Sequence, residues 1–428
     1  MRNLNKFASS KVFQLSLSTF FLGQKTNRQR LQTKTTAMNN SGNDIQLELR
    51  KFVAPEFIFG TDARKTSGNY CKHLAAKKVL LVTDPGIMAT PWLEEIKTSL
   101  FESGIEFELF SSVSPNPRDF EVMEGANIYT SKKCNLILAL GGGSVMDCAK
   151  GIGIVSTNKK SIEFYEGVDK IANPMPPLVC IPTTSGTAAD LSQFAIINKY
   201  SERYKMAIIS KATVPDVALI DPVVLTTMSP FLTACTGIDA LTHAIEAFVS
   251  NASSSFTDLW AIESVRLIHD NLMPAILNPA NIQYRGKVML ASMYAGLAFS
   301  NASLGCVHAM AHSLGGYLDL PHGECNAILL PHVVNFNFGH APEKYSQLAR
   351  IFGVNTDNLP LIKIQSEFVK RLIDFKNEAG IHSTLSTKGV KNDSLDILAG
   401  KAIKDPCNAT NPRVPRKDDL KAIYCEAL

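Results

Sequence analysis

The chain has 428 residues, 45% of them hydrophobic, enough to bury a large core and to form two domains. Its net charge of +4 becomes −3 once the first 43 residues, with seven Lys or Arg and no acid, are set aside, so no basic surface for nucleic acid is expected. Nine cysteines without a Cys-x-x-Cys pair read as reduced thiols rather than a disulfide framework, and no apolar run reaches the roughly 20 residues of a membrane-spanning helix, so no membrane partner is expected.

At the amino end, Arg2, Arg28, Arg30 and Lys34 stand among many Ser and Thr with no acid before Asp44. That composition is typical of an organellar transit peptide, so residues 1–43 are set apart and a mitochondrial or related organelle matrix is expected. The alternatives are a disordered tail, with Met38 as a second start, and a cytoplasmic protein.

From Phe52 onward, strand-like runs (78–83, 106–110, 136–140) alternate with helix-like stretches (92–102, 119–132). This rhythm predicts a parallel, doubly wound, Rossmann-like sheet in residues 44–225. Straight after the third run comes Gly141-Gly142-Gly143-Ser144, followed by helix-like spacing through Asp147 and Lys150. Glycines at a helix N-terminus expose N–H groups to an anion such as a pyrophosphate. The run is not the G-x-G-x-x-G fingerprint, and most glycine triplets only make tight turns; its place between strand and helix is what favours a dinucleotide.

A fourth strand, 178–181, leads into Pro182-Thr183-Thr184-Ser185-Gly186-Thr187, whose hydroxyls can bind phosphate, ribose or nicotinamide where ligands of such sheets gather. Asp84 also ends a strand. It could accept ribose hydroxyls and repel a 2′-phosphate, favouring NAD over NADP, or it could simply be a turn-forming Asx residue.

Beyond Pro222 the strand signals give way to helix-like stretches at 231–249, 258–275, 282–298 and 303–318, so residues 226–428 are expected to form an all-helical domain. Here Asp239 and His243 are four apart, as are His308 and His312, and each pair can share one helix face. His322 follows Pro321 in what reads as a turn. Either pair alone is more often a surface ion pair or a hydrogen-bonded core histidine. Together, three imidazoles and a carboxylate in segments rich in Ala, Gly, Leu and Met suit an iron or zinc ion with an open position, and the substrate is expected in the cleft between the domains.

The run Thr236-Gly237-Ile238-Asp239-Ala240-Leu241-Thr242-His243-Ala244-Ile245-Glu246, with Gly305-Cys306-Val307-His308-Ala309-Met310-Ala311-His312, Pro321-His322-Gly323 and the tail from Asp405-Pro406-Cys407 to Asn411-Pro412-Arg413, resembles the iron-containing (group III) alcohol dehydrogenase family. Within it the chain looks most like the branch named for ethanol-oxidation regulatory proteins. The resemblance implies an NAD-linked enzyme with Fe²⁺, or Zn²⁺ in its place, held by Asp239, His243, His308 and His322. Cofactor contacts carry over to Asp84, Gly142, Gly143, Ser144, Asp147, Thr183, Thr184, Thr187 and Lys205, and His312 matches a histidine suspected of proton transfer near the nicotinamide. The family's His-Pro-Leu-Gly step reads His312-Ser313-Leu314-Gly315 here, and a homodimer or larger homo-oligomer is expected.

The substrate is expected to be a short, uncharged primary alcohol or its aldehyde. Phe299, Cys306, Met310 and Leu314 flank the ligands, and no arginine lies between His308 and His332 to clamp a carboxylate. A hydroxyacid-oxoacid transhydrogenase of the 4-hydroxybutyrate type, a lyase such as dehydroquinate synthase, and a regulatory protein that kept the fold are the alternatives.

Overall fold

The computed structural model describes residues 51–428; the transit-peptide expectation for residues 1–43 lies outside them. Six short strands form one parallel sheet: β1 (Glu56–Phe59), β2 (Lys78–Val82), β3 (Glu106–Phe110), β4 (Leu136–Gly141), β6 (Leu178–Pro182) and β9 (Val217–Ile220), in the order β1-β9-β6-β4-β2-β3. The central strands β4 and β6 are buried at every residue, as a parallel sheet covered on both faces requires. Period-two alternation divides β2 between the faces. Val79 and Leu81 join one apolar cluster with Leu93, Ile96 and Leu100, while Leu80 and Val82 join another with Val122, Ala126 and Met146.

Helices α1 (Ser67–His73), α2 (Pro85–Met88), α3 (Trp92–Glu102), α4 (Asp119–Ser131) and α5 (Gly143–Asn158) connect these strands. A second sheet was not anticipated. β5 (Gly167–Val168) pairs with β8 (Tyr204–Ile209), which forms an antiparallel hairpin with β7 (Phe194–Lys199). Most of β7 and β8 is buried, so polar alternation is missing, and the connection Tyr200-Ser201-Glu202-Arg203 lacks the Gly or Asn-Gly signal of a tight hairpin; Arg203 itself takes the left-handed turn at φ 48°.

From Pro222 on, the described residues form no strand. Helix α6 (Pro230–Val249) starts where Ser229 Oγ accepts the Leu232 N–H at 3.2 Å with Pro230 at the first helical position, and it is buried from Thr233 to its end. It packs against α7 (Ser255–Leu277), α8 (Ile282–Ala302) and α10 (His322–Asn337). Helix α9 (Cys306–Leu318) begins three residues later than expected, because Ser303 at φ 62° ends α8 and breaks the run. His322 is no turn residue: Pro321 caps α10, and His322 is its first residue. Four further helices, α11 (Pro342–Ile351), α12 (Leu361–Glu378), α13 (Leu395–Ala402) and α14 (Lys417–Glu426), complete the helical part.

One close approach sets the site. A Cβ on Gly316 would meet the Lys205 backbone nitrogen at 2.9 Å and the Tyr204 Cα at 3.1 Å, so glycine here lets β8 lie directly on α9. Lys205 is thereby set against the helix that carries His308 and His312.

Candidate active site

Asp239, His243 and Glu246 occupy one face of α6 at spacings of four and three. His308 and His312 come from α9, and His322 and Asn326 from α10. The structure brings Asp239, His308 and His322 together: one ligand atom from each lies within 4.8 Å of the others. Asp239 Oδ1 is 3.7 Å from both His308 Nε2 and His322 Nε2. His243 stands beside this group. Its ring stacks between His308 (centroids 4.3 Å apart) and Phe299 (4.4 Å), its Nδ1 donates to the Gly186 carbonyl at 3.2 Å, and that nitrogen is 4.0 Å from Asp239 Oδ1.

The hydrogen bonds fix which ring nitrogens carry lone pairs. His243 gives its Nδ1 proton to Gly186 and His308 gives its own to Glu246 at 2.6 Å, so on each ring Nε2 is the nitrogen left to offer a metal. Burial lowers His243 to about 3 and takes His322 well below the usual histidine range, so both rings stay neutral as metal ligation demands. Although burial opposes ionisation, His243, His308 and His322 hold the Asp239 carboxyl well below the ordinary carboxylate value. For His308, Asp239 and Glu246 outweigh burial and raise the pKa to about 9, so without a metal this cluster draws a proton.

A cation fits the donor set. Asn326 Nδ2 lies 2.6 Å from Asp239 Oδ1, 3.2 Å from His308 Nε2 and 3.3 Å from His322 Nε2, so three acceptors from two elements besides its own helix converge on one positive-end group. Asn326 Oδ1 and His322 Nδ1 are buried without a hydrogen-bond partner among the described residues. A buried set of one carboxylate and several imidazole nitrogens is the chemistry iron and zinc favour.

His312 lies on the same wall, its ring stacked on His322 with centroids 5.3 Å apart. Its Nδ1 donates to Asp405 Oδ2 at 2.8 Å, while Asp405 Oδ1 accepts the Cys407 N–H at 2.9 Å. The buried carboxylate thus sets the tautomer and leaves the His312 Nε2 lone pair free.

A cavity of about 110 Å³ runs from these histidines to the start of α5 and includes Gly143, Ser144, Asp147, Thr187 and Lys205 in its wall. A Cβ on Gly143 would come within 2.6 to 2.9 Å of the Thr187 side chain, so the glycine lets the loops after β4 and β6 close together. Asp84, Gly142, Thr183 and Thr184 do not line the cavity. Gly142 caps α5 and abuts Thr184; Thr183 bonds back to the Gly141 carbonyl at 2.9 Å. Asp84 stands two residues beyond the end of β2 and spends Oδ1 on capping α2, accepting from Gly86 at 2.7 Å and Ile87 at 3.0 Å, the Asx-turn role the sequence also allowed.

Lys205 is buried at 7% exposure, and burial lowers its pKa against the pull of Cys325, Asp147 and Asp319. Burial raises the Asp147 carboxyl from 3.8 to about 7, opposed by Lys150, the Ile196 N–H and Lys205. An acid whose folded pKa is raised costs stability that is absent below the unfolded value, grows across the interval and is complete above about 7. Asp147→Asn, neutral throughout, should therefore raise the unfolding temperature by a few degrees more at pH 8 than at pH 5. Calorimetry showing equal shifts at the two pH values would refute this origin of the cost.

The apolar wall differs from expectation. Cys306, Met310 and Leu314 are fully buried in the helical core; of the four expected residues only Phe299 reaches the cavity, joined by Phe194, Ile196 and Leu304. Phe194 comes from the unanticipated hairpin, anchored by the buried Lys150 ammonium, which donates to the carbonyls of Ser192 at 2.8 Å and Phe194 at 2.7 Å. Glu246, Asn326 and Asp405 were missed as site residues. Glu246 carried a signal, falling seven residues after Asp239 and three after His243.

The pattern described as "Iron-containing alcohol dehydrogenase" matches residues 54–222, and that described as "Fe-containing alcohol dehydrogenase family, C-terminal" matches residues 233–428. Alcohol dehydrogenase 4 of Schizosaccharomyces pombe is 40% identical over 88% of this chain and 89% of its own length. An NAD-dependent methanol dehydrogenase of Bacillus methanolicus is 35% identical over 88% of this chain and 99% of its own. Among solved structures, a 1,3-propanediol oxidoreductase superposes with a TM-score of 0.86 at 37% identity, covering 89% of this chain and all of the other. With the two patterns together spanning nearly all of the described residues and relatives up to 40% identical over most of the chain, the chain belongs to the iron-containing alcohol dehydrogenase family.

Proposed function

We propose that this protein is an NAD-linked, Fe²⁺-dependent alcohol dehydrogenase that interconverts short, uncharged primary alcohols and their aldehydes. The observation that carries this reading is one cavity with a ligand set at one end, a glycine-hydroxyl cradle at the other and an apolar wall of Phe194, Ile196, Phe299 and Leu304. Asp239, His243, His308 and His322 are proposed to hold the metal, which when bound supplies Lewis acidity that lowers the pKa of an alcohol oxygen. NAD supplies the hydride acceptor.

The chain's own groups do the rest. The N–H groups at the start of α5, with Ser144 and Thr187 in the cavity wall and Thr184 abutting Gly142 behind them, are proposed to bind the pyrophosphate and orient the nicotinamide. Lys205 and Asp147 offer a donor and an acceptor to the nicotinamide-side ribose. His312, its Nδ1 proton tied to Asp405, can take up the alcohol proton at Nε2. The aromatic pair Phe194 and Phe299, with centroids 5.8 Å apart, keeps water from the reacting carbon.

Among the described residues lining the cavity there is no arginine to clamp a carboxylate, which favours an uncharged substrate over a hydroxyacid. The test is a panel of short alcohols, diols and 4-hydroxybutyrate with Fe²⁺-loaded protein, followed by NADH absorbance. Short primary alcohols should show the highest kcat/KM; faster oxidation of 4-hydroxybutyrate would point to the transhydrogenase alternative.

Asp84 is proposed to select NAD. Its Oδ1 is occupied as a cap, leaving Oδ2 to meet a ribose and its charge to repel a 2′-phosphate. Asp84→Gly should narrow the preference for NAD over NADP about tenfold, equivalent to about 1.4 kcal/mol. Equal kcat/KM for the two cofactors in the unmutated enzyme would contradict the assignment.

A further inference from the structure

Helix α9 has an unusual start. Its cap residue is Gly305, which has no side chain to satisfy the first N–H groups. A Cβ there would meet Asn411 Oδ1 at 2.6 Å and Glu246 Oε1 at 2.9 Å, because side chains from elsewhere fill the capping position. Asn411 Oδ1 accepts the Cys306 N–H at 3.1 Å. Glu246, 4% exposed on α6, accepts the Gly305 N–H at 3.0 Å and the Val307 N–H at 2.7 Å.

Glu246 makes one more bond, which Asn411 does not. Its Oε2, already accepting from Gly305, also accepts from His308 Nδ1 at 2.6 Å. One carboxylate therefore holds both the first turn of the helix and the first imidazole upon it. With Nδ1–H committed, Nε2 is the one nitrogen His308 can offer a metal, and that atom faces Asp239.

We propose that Glu246 is a positioning residue for the metal: it sets the tautomer and ring direction of His308 and, through Gly305 and Val307, locks the helix start from which His308 projects. The proposal rests on the assignment of His308 as a ligand. Carboxylates in this relation to a ligating histidine raise its basicity and typically contribute 10- to 100-fold to metal affinity.

Glu246→Gln keeps shape and volume but replaces one acceptor oxygen with a donor. In either amide orientation an NH₂ group faces the Val307 N–H, or else the Gly305 N–H together with the His308 Nδ1–H. Asn411→Ala removes the neighbouring Cys306 cap, together with the Asn411 bonds to Asn337 and the Arg413 carbonyl, and leaves the His308 bond intact, so it is the control for a purely structural loss. The experiment is Co²⁺ titration of the metal-free full chain against a competing chelator, with the visible Co²⁺ absorption recorded and folding checked by circular dichroism.

Glu246→Gln should bind Co²⁺ roughly 10- to 100-fold more weakly with an altered absorption band, while Asn411→Ala lowers the unfolding temperature yet binds within about threefold of the unmutated chain. Unchanged affinity and spectrum in folded Glu246→Gln would overturn the proposal, as would an equal loss in Asn411→Ala. If Glu246→Gln does not fold, nitrogen-15 NMR of histidines in the unmutated, Zn²⁺-loaded chain decides: a protonated Nδ1 on His308 supports the role, and a protonated Nε2 overturns it. An unmutated chain that binds no Co²⁺ would instead remove the ligand assignment itself.

Discussion

His308→Ala is expected to take the metal content of the purified protein from about one ion per chain to below a tenth, and to lower kcat/KM about a thousandfold or more. That factor is what losing several kcal/mol of Lewis-acid stabilisation produces. Two distances underlie the expectation: 3.7 Å from His308 Nε2 to Asp239 Oδ1, and 2.6 Å from Nδ1 to Glu246. Alanine deletes the proposed ligand and also leaves Glu246, a buried carboxylate, short of one hydrogen bond, a loss of about 1.5–3 kcal/mol for a bond to a charged group. Mass spectrometry of metal content must therefore be normalised to folded protein. Full metal content in folded His308→Ala would remove His308 from the ligand set.

The second large effect is expected at the other end of the cavity. In Gly143→Val the new Cβ would sit 2.6 Å from Thr187 Cγ2, 2.8 Å from Oγ1 and 2.9 Å from Cβ, and the two added methyls need more room still. Thr187 is short and cannot swing its far end away, so the loops after β4 and β6 must part and the N–H cradle must turn. Hydrogen bonds to a charged group are worth about 1.5–3 kcal/mol each, so losing one of them should raise the KM for NAD roughly 10- to 100-fold. Metal content should stay at the unmutated level, separating this lesion from that at His308. Combining Gly143→Ala with Thr187→Gly should recover part of the affinity lost in Gly143→Ala alone; no recovery would show that the close approach is not what matters.

The two sites differ in how much of them could be read from the chain. Strands β2, β3, β4 and β6 and helix α3 were legible because continuous apolar runs and 3.6-residue periodicity leave strong local signals. Asp239 with His243, and His308 with His312, were legible as helical pairs for the same reason. What the sequence left hidden depends on tertiary approach. The β7–β8 hairpin carries Phe194, Ile196 and Lys205 into the cavity, yet its buried faces erase alternation and its turn has no glycine. Cys306, Met310 and Leu314 are neighbours of the ligands in sequence, but their directions from α9 turn them into the core, and periodicity without an orientation cannot tell the two faces apart. Asp405 meets His312 across 93 positions, a pairing no local pattern contains. Asp84 had two readings in sequence, and the structure gives its Oδ1 to the helix cap.

The most direct single test is NAD-dependent oxidation of 1-propanol by the full chain before and after removal of metal with a chelator, and again after return of Fe²⁺, followed as NADH formation. Turnover should be present in the loaded enzyme, fall to background on chelation and return with Fe²⁺ in proportion to the metal rebound. Equal rates with and without metal would contradict the assignment of Asp239, His243, His308 and His322 as the centre of the reaction.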